Sequence, residues 1–135
     1  MRQAPLVVAA LVFATAAWGA DRACTKADAA NAQKSIDRVF NWAQLRKAWQ
    51  DFGHCDSGEV GDAFSDALLR LLVDWQDVPS LAKAMDDAPF KQFVVSHLRA
   101  APKEDRDAVY SRAKASCPPG QDASCGVIAD AARAK

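Results

Sequence analysis

The chain has little histidine, two residues in 135, and no excess of charge of either sign, with 17 basic against 17 acidic side chains. Scarce histidine argues against a metal centre, because a zinc site gathers about three or four convergent ligands from His, Cys and carboxylates. Balanced and interspersed charge narrows the partners in the same way. No segment collects Lys and Arg into a patch able to neutralise several phosphates, so neither nucleic acid nor an anionic membrane surface is an expected partner. Alternating strands of β-branched and aromatic residues are missing too, while alanine is abundant, which points away from a sheet and towards an all-α fold. Gly-x-Ser-x-Gly, a glycine-rich phosphate loop and His-Glu-x-x-His do not occur, so no named motif marks an enzyme.

What is present begins at the N-terminus. Arg2, an apolar run from Leu6 to Ala17 and a small-residue exit read as an export signal over residues 1–19, with cleavage expected between Gly19 and Ala20. The run follows Pro5 and falls short of the roughly twenty residues a spanning helix needs, so no stable membrane insertion is expected after cleavage. Cys24 follows Asp21-Arg22-Ala23 rather than the Leu and small residues of a lipid-modified cysteine. Residues 20–135 are then expected to form a single helical domain, periplasmic or secreted, large enough to build a real core. In that setting Cys24, Cys55, Cys117 and Cys125 default to disulfides, since oxidising compartments favour cystine.

Helical periodicity runs through residues 26–135 and predicts a compact antiparallel bundle of six or seven short helices. Thr25 with Asp28 forms a capping-box pattern ahead of a helix at 26–37, and Asn41 with Gln44 another ahead of the stripe Trp42, Leu45, Ala48, Trp49 and Phe52. Gly53 reads as a left-handed stop. Asp56 with Glu59 offers a third box, opening the most apolar helix, whose stripe is Val60, Ala63, Phe64, Ala67, Leu68, Leu71, Leu72 and Trp75. Leu69 and Val73 lie off that stripe, so neighbours should cover its second half on several sides. Pro79 and Pro89 suit helix starts at about 78–86 and 89–100. Further helices are expected at 103–116 and from 122 to the C-terminus, separated by Cys117-Pro118-Pro119-Gly120.

Four cysteines permit three pairings. A turn at about 38–41 folds residues 24–55 into a hairpin whose ends meet, and the Pro-Pro-Gly turn brings residues 117 and 125 together. The favoured pairing is therefore Cys24 with Cys55 and Cys117 with Cys125, because each bridge closes a hairpin the chain already makes.

Few residues invite a chemical reading. Gly53-His54-Cys55-Asp56-Ser57-Gly58 compresses an imidazole, a sulfur and a carboxylate into three positions, yet a stop, a turn residue, a staple and a cap account for all of them. His97 lies on the stripe Phe90, Phe93, Val94, His97 and Leu98, as a hydrogen-bonded core or interfacial histidine does. Glu59, Asp62 and Asp66 form an acidic face that could pair carboxylates for glycoside chemistry, but the same spacing is the ordinary solvent face of an amphipathic helix. His54, Glu59, Asp62 and Asp66 stand as surface candidates, with Asp66 and Arg70 spaced for an i,i+4 pair. No cofactor, metal or catalytic residue is assigned.

The segment from Phe52 to Trp75, with its GHCDSG turn, and the later Cys-Pro-Pro-Gly-Gln run with Cys125 resemble small, uncharacterised exported helical proteins of Gram-negative bacteria. The resemblance implies a periplasmic home and supplies no activity. In type alone the chain is similar to periplasmic immunity proteins that neutralise amidases delivered by type VI secretion. The expected function is a protein-binding or inhibitory module acting on another periplasmic protein, since a clamped helical scaffold supplies a rigid surface without catalytic residues. The alternative is a cell-envelope hydrolase using Glu59 or His97 as acid or base.

Overall fold

The computed structural model describes residues 22–134; the expected export signal and its cleavage site lie outside the described residues. Thr25 starts the chain's first helix by local chemistry alone. Its hydroxyl accepts from the Asp28 N–H at 3.0 Å while the Asp28 carboxylate accepts from the Thr25 N–H at 3.3 Å, a complete capping box. From there seven α-helices follow among the described residues, with no strand: α1 (Lys26–Ile36), α2 (Trp42–Phe52), α3 (Gly58–Val73), α4 (Val78–Ala84), α5 (Ala88–Ala100), α6 (Lys103–Ala115) and α7 (Asp122–Arg133). The fold is all-α, as periodicity predicts.

Two bridges staple it. Cys24 is bonded to Cys55, with Cα atoms 4.9 Å apart, and Cys117 to Cys125, with Cα atoms 6.1 Å apart, which is the pairing the hairpins favour. The packing centre is α3, which touches α1, α2, α5 and α6. Val60, Phe64, Ala67, Leu68, Leu71 and Leu72 are buried along its stripe, and Leu69 off it is buried as well, so neighbours do cover its second half on several sides. Trp42, Leu45, Phe90, Phe93, Leu98, Val109 and Ile128 join the same continuous apolar cluster. Among the described residues no polar or charged residue is buried. No described helix is long and apolar enough to cross a membrane.

Several local expectations are corrected. Asp56 does not cap α3: Ser57 occupies the N-cap without a side-chain cap bond, and the Asp56 carboxylate turns to His97 instead. Two cap-forming residues in succession made the position ambiguous, and a tertiary partner decided it. Gly53 is not a left-handed stop, since its φ is −59° and the chain continues through a 3₁₀ turn at Gly53–Cys55. Glycine serves closeness there: a Cβ would lie 3.1 Å from the Trp49 indole nitrogen, and the ring would have to give by a few tenths of an ångström. Trp75 is not on the helix: α3 ends at Val73, Trp75 takes a φ of 53°, and its indole N–H donates to the Ser116 carbonyl at 2.9 Å. Arg70 leaves Asp66 and donates to the Val39 carbonyl at 2.9 Å, fixing the turn between α1 and α2.

Candidate functional site

The polar residues that matter converge on the segment between α2 and α3. Gly53 lets the chain pass closely under Trp49, and Cys55 is pinned to Cys24. His54 and Asp56, on either side of Cys55, reach different helices.

His54 faces α1. Its Nε2 lies 3.1 Å from the Asp28 carboxylate, and its side chain is only 9 % exposed, so it is not the surface residue the sequence suggests. The histidine, the Thr25 backbone N–H and the Arg22 guanidinium hold the Asp28 carboxyl below the usual carboxylate range, with partial burial opposing them. Asp28, His54 and Cys55 offer ligand atoms within 4.8 Å of one another. Cys55 is spent in its bridge, which leaves no thiolate and two donors, fewer than a structural zinc site uses.

Asp56 faces α5. Its carboxylate lies 2.8 Å from His97 Nε2, and the other ring nitrogen, Nδ1, lies 2.7 Å from Ser65 Oγ on α3. A carboxylate only accepts, so Nε2 carries the proton, and in the neutral ring Nδ1 then accepts from the Ser65 hydroxyl. Phe93 packs against the imidazole with centroids 4.5 Å apart, and Phe93 itself meets Phe64, Phe90 and Trp49 in one aromatic cluster. The ring is therefore held by a carboxylate, a hydroxyl and an aromatic wall. The His97 side chain is 13 % exposed and that of Asp56 23 %, while Ser65 is half-buried.

The acidic face does not join this array. Glu59, Asp62 and Asp66 are exposed, and none enters an ion pair among the described residues. Ser65 and the bond from Asp56 to His97 were missed in the sequence. The row Gly61, Ser65, Leu69 offered a signal: a small polar residue between small and apolar ones, on the flank of a buried stripe, faces a neighbour.

A second feature lies at the corner between α1 and α2. Phe40 precedes the N-cap Asn41, the position from which an apolar side chain ordinarily folds back onto the residue at the fourth helical position, here Leu45. Leu45 is fully buried, yet Phe40 is 68 % exposed, the one large apolar side chain so exposed among the described residues. The corner is fixed: the Phe40 N–H donates to Gln44 Oε1 at 2.8 Å, and neighbouring Val39 is buried with its carbonyl held by Arg70. Gln44 also lines a hollow of about 440 Å³ between α1 and α2, together with Lys34, Arg38, Lys47 and Phe52. Lys47 pairs with Asp51 at 2.8 Å, and Lys34 and Arg38 pair with nothing among the described residues.

Known families, curated proteins and solved structures offer no match.

Proposed function

We propose that this is an exported, periplasmic protein-binding module of inhibitory, immunity-like kind, whose partner is another periplasmic protein. Two disulfides agree with an oxidising compartment. The observation that carries the reading is Phe40: a large apolar side chain held outward on a rigid corner, against the local packing rule, beside a hollow with two unpaired cations. Aromatic anchors of this kind dominate protein interfaces, and ordering costs little when the corner is already fixed. The surface it fits is acidic, with an apolar socket.

The test incubates the oxidised protein with peptidoglycan amidases and other envelope hydrolases. Stoichiometric inhibition is expected for the cognate enzyme, with Phe40→Ala weakening it by about 2 kcal/mol or more while leaving the fold intact. Turnover of peptidoglycan by the protein alone, with no hydrolase inhibited, would overturn the reading. In the alternative of an envelope hydrolase, Glu59 would act from an exposed position on the solvent face. His97 would act from its bonds to Asp56 and Ser65.

A further inference from the structure

Ser65, His97 and Asp56 come from three separate elements, α3, α5 and the turn before α3, and meet in one unbroken chain of hydrogen bonds. A serine in mid-helix ordinarily bonds to the carbonyl one turn back or to water. Here the hydroxyl is directed across to a second helix and onto a ring nitrogen whose lone pair is free to accept. We propose that Ser65 is a base-activated nucleophile that accepts an acyl group from an ester substrate, with His97 as its base and Asp56 as the positioning residue that fixes the ring's tautomer. This goes beyond the binding function, uses none of the residues around Phe40, and stands or falls separately.

The step balances within the site. Ser65 Oγ forms a bond to the acyl carbon as its proton passes to His97 Nδ1, and the bond from the acyl carbon to the leaving oxygen breaks. The leaving group takes the electron pair, and the imidazolium, still bonded to the Asp56 carboxylate, returns its proton to the leaving group or to water. The product is an ester on Ser65.

Turnover is expected to be slow, and the fold says why. Ser65 lies inside α3, so its own backbone N–H and those beside it are committed to the helix and cannot serve as the paired donors that stabilise a tetrahedral oxyanion. Base activation alone typically contributes about 10²- to 10⁴-fold. The activity therefore reads as acylation of one serine rather than as rapid hydrolysis.

The experiment treats the oxidised protein with p-nitrophenyl acetate and with a fluorophosphonate, follows p-nitrophenolate release, and maps the adduct by peptide mass spectrometry. One adduct on Ser65 is expected, formed much faster than on any serine of the guanidinium-unfolded chain. His97→Gln should slow it by about 10²-fold or more, and Asp56→Asn should slow it less. Should His97→Gln fail to fold, the native adduct and the Asp56→Asn rate decide the matter. No adduct on Ser65, a rate equal to that of the unfolded chain, or an unchanged rate in folded Asp56→Asn would overturn the proposal and leave the array as a structural tie between α3 and α5.

Discussion

The N-terminal hairpin of α1 and α2 and the C-terminal hairpin of α6 and α7 each carry one disulfide, yet the rest of their support differs in kind. The first bridge joins residues 31 apart in sequence, the second residues 8 apart. Around the first, several side chains share the polar ties: Asp28 accepts from His54 and Arg22, and Arg70 donates to the Val39 carbonyl. Around the second, one side chain ties backbone: Arg106 donates to the carbonyls of Ala101, Ala132 and Ala134, joining the end of α5 to the end of α7. Arg133 lies over the Tyr110 ring, 5.4 Å from its centroid. The apolar support differs as well. α1, α2 and α6 all lean on α3, but α6 buries only Val109 and Ala113 and takes its most extensive packing from α7, an alanine-rich helix whose small side chains let the two backbones come close. The N-terminal half is held by distant closure and a shared core, and the C-terminal half by local closure and a guanidinium clamp on helix ends.

The largest effect should come from the helix that both halves share. Leu72 is buried in α3, so Leu72→Ala is expected to cost about 2 to 5 kcal/mol in denaturant unfolding and to loosen both hairpins together. A loss below about 1 kcal/mol would show that the hairpins do not depend on a common core.

Removing the bridges tests the contrast directly. By loop entropy the 24–55 bridge is worth about 3.7 kcal/mol and the 117–125 bridge about 2.5 kcal/mol, a model-dependent ordering. Cys24→Ser with Cys55→Ser should therefore lower the denaturant midpoint more than Cys117→Ser with Cys125→Ser. The reverse order would mean that native packing, and not closure of the unfolded chain, sets each bridge's value.

A smaller and more local loss is expected from Arg106→Ala, about 1 to 3 kcal/mol, since charge-assisted bonds to backbone carbonyls disappear at a half-buried position. Hydrogen exchange should rise in the last turn of α7 and at the end of α5 while α1 and α2 stay protected. Uniform loss of protection would contradict a local clamp.

The smallest effect concerns acid. Asp28 has its carboxyl pKa lowered in the fold, chiefly by His54, so the stabilisation it gives is present above the unfolded carboxyl's ordinary pKa of about 4 and is lost as pH falls through the lower folded value. Asp28→Asn should be less stable than the native chain at neutral pH, and the gap should close on acidification below about pH 4. A gap independent of pH would place the effect in the capping box alone.

Helix positions and bridges were legible because both rest on local signals. Thr25 and Asn41 cap as read, Pro79 and Pro89 sit in first turns, and each disulfide closes a hairpin set by the helix map. The site was not legible, because its geometry is tertiary. Asp56 and Ser57 are both good caps, and only His97, 41 residues onward, decides which one turns away. Gln44 was expected to complete a box with Asn41 and instead reaches the N–H of Phe40. Phe40 itself carries a pattern that ordinarily means burial, so its exposure shows only in three dimensions. His54 read as a turn residue at the surface because the partner that encloses it, Asp28, lies a whole hairpin away.

In three consecutive positions the chain reaches three separate places: His54 to Asp28, Cys55 to Cys24 and Asp56 to His97. The central link is a disulfide, and its two neighbours each hold a polar contact beside it. A chain with reduced thiols lacks that covalent link, and the bonds from His54 to Asp28 and from Asp56 to His97 are then expected to hold less firmly. Bond formation between Cys24 and Cys55 would then act as a ripening step, tightening the two polar contacts beside it, and a copy kept reduced is expected to stay looser there.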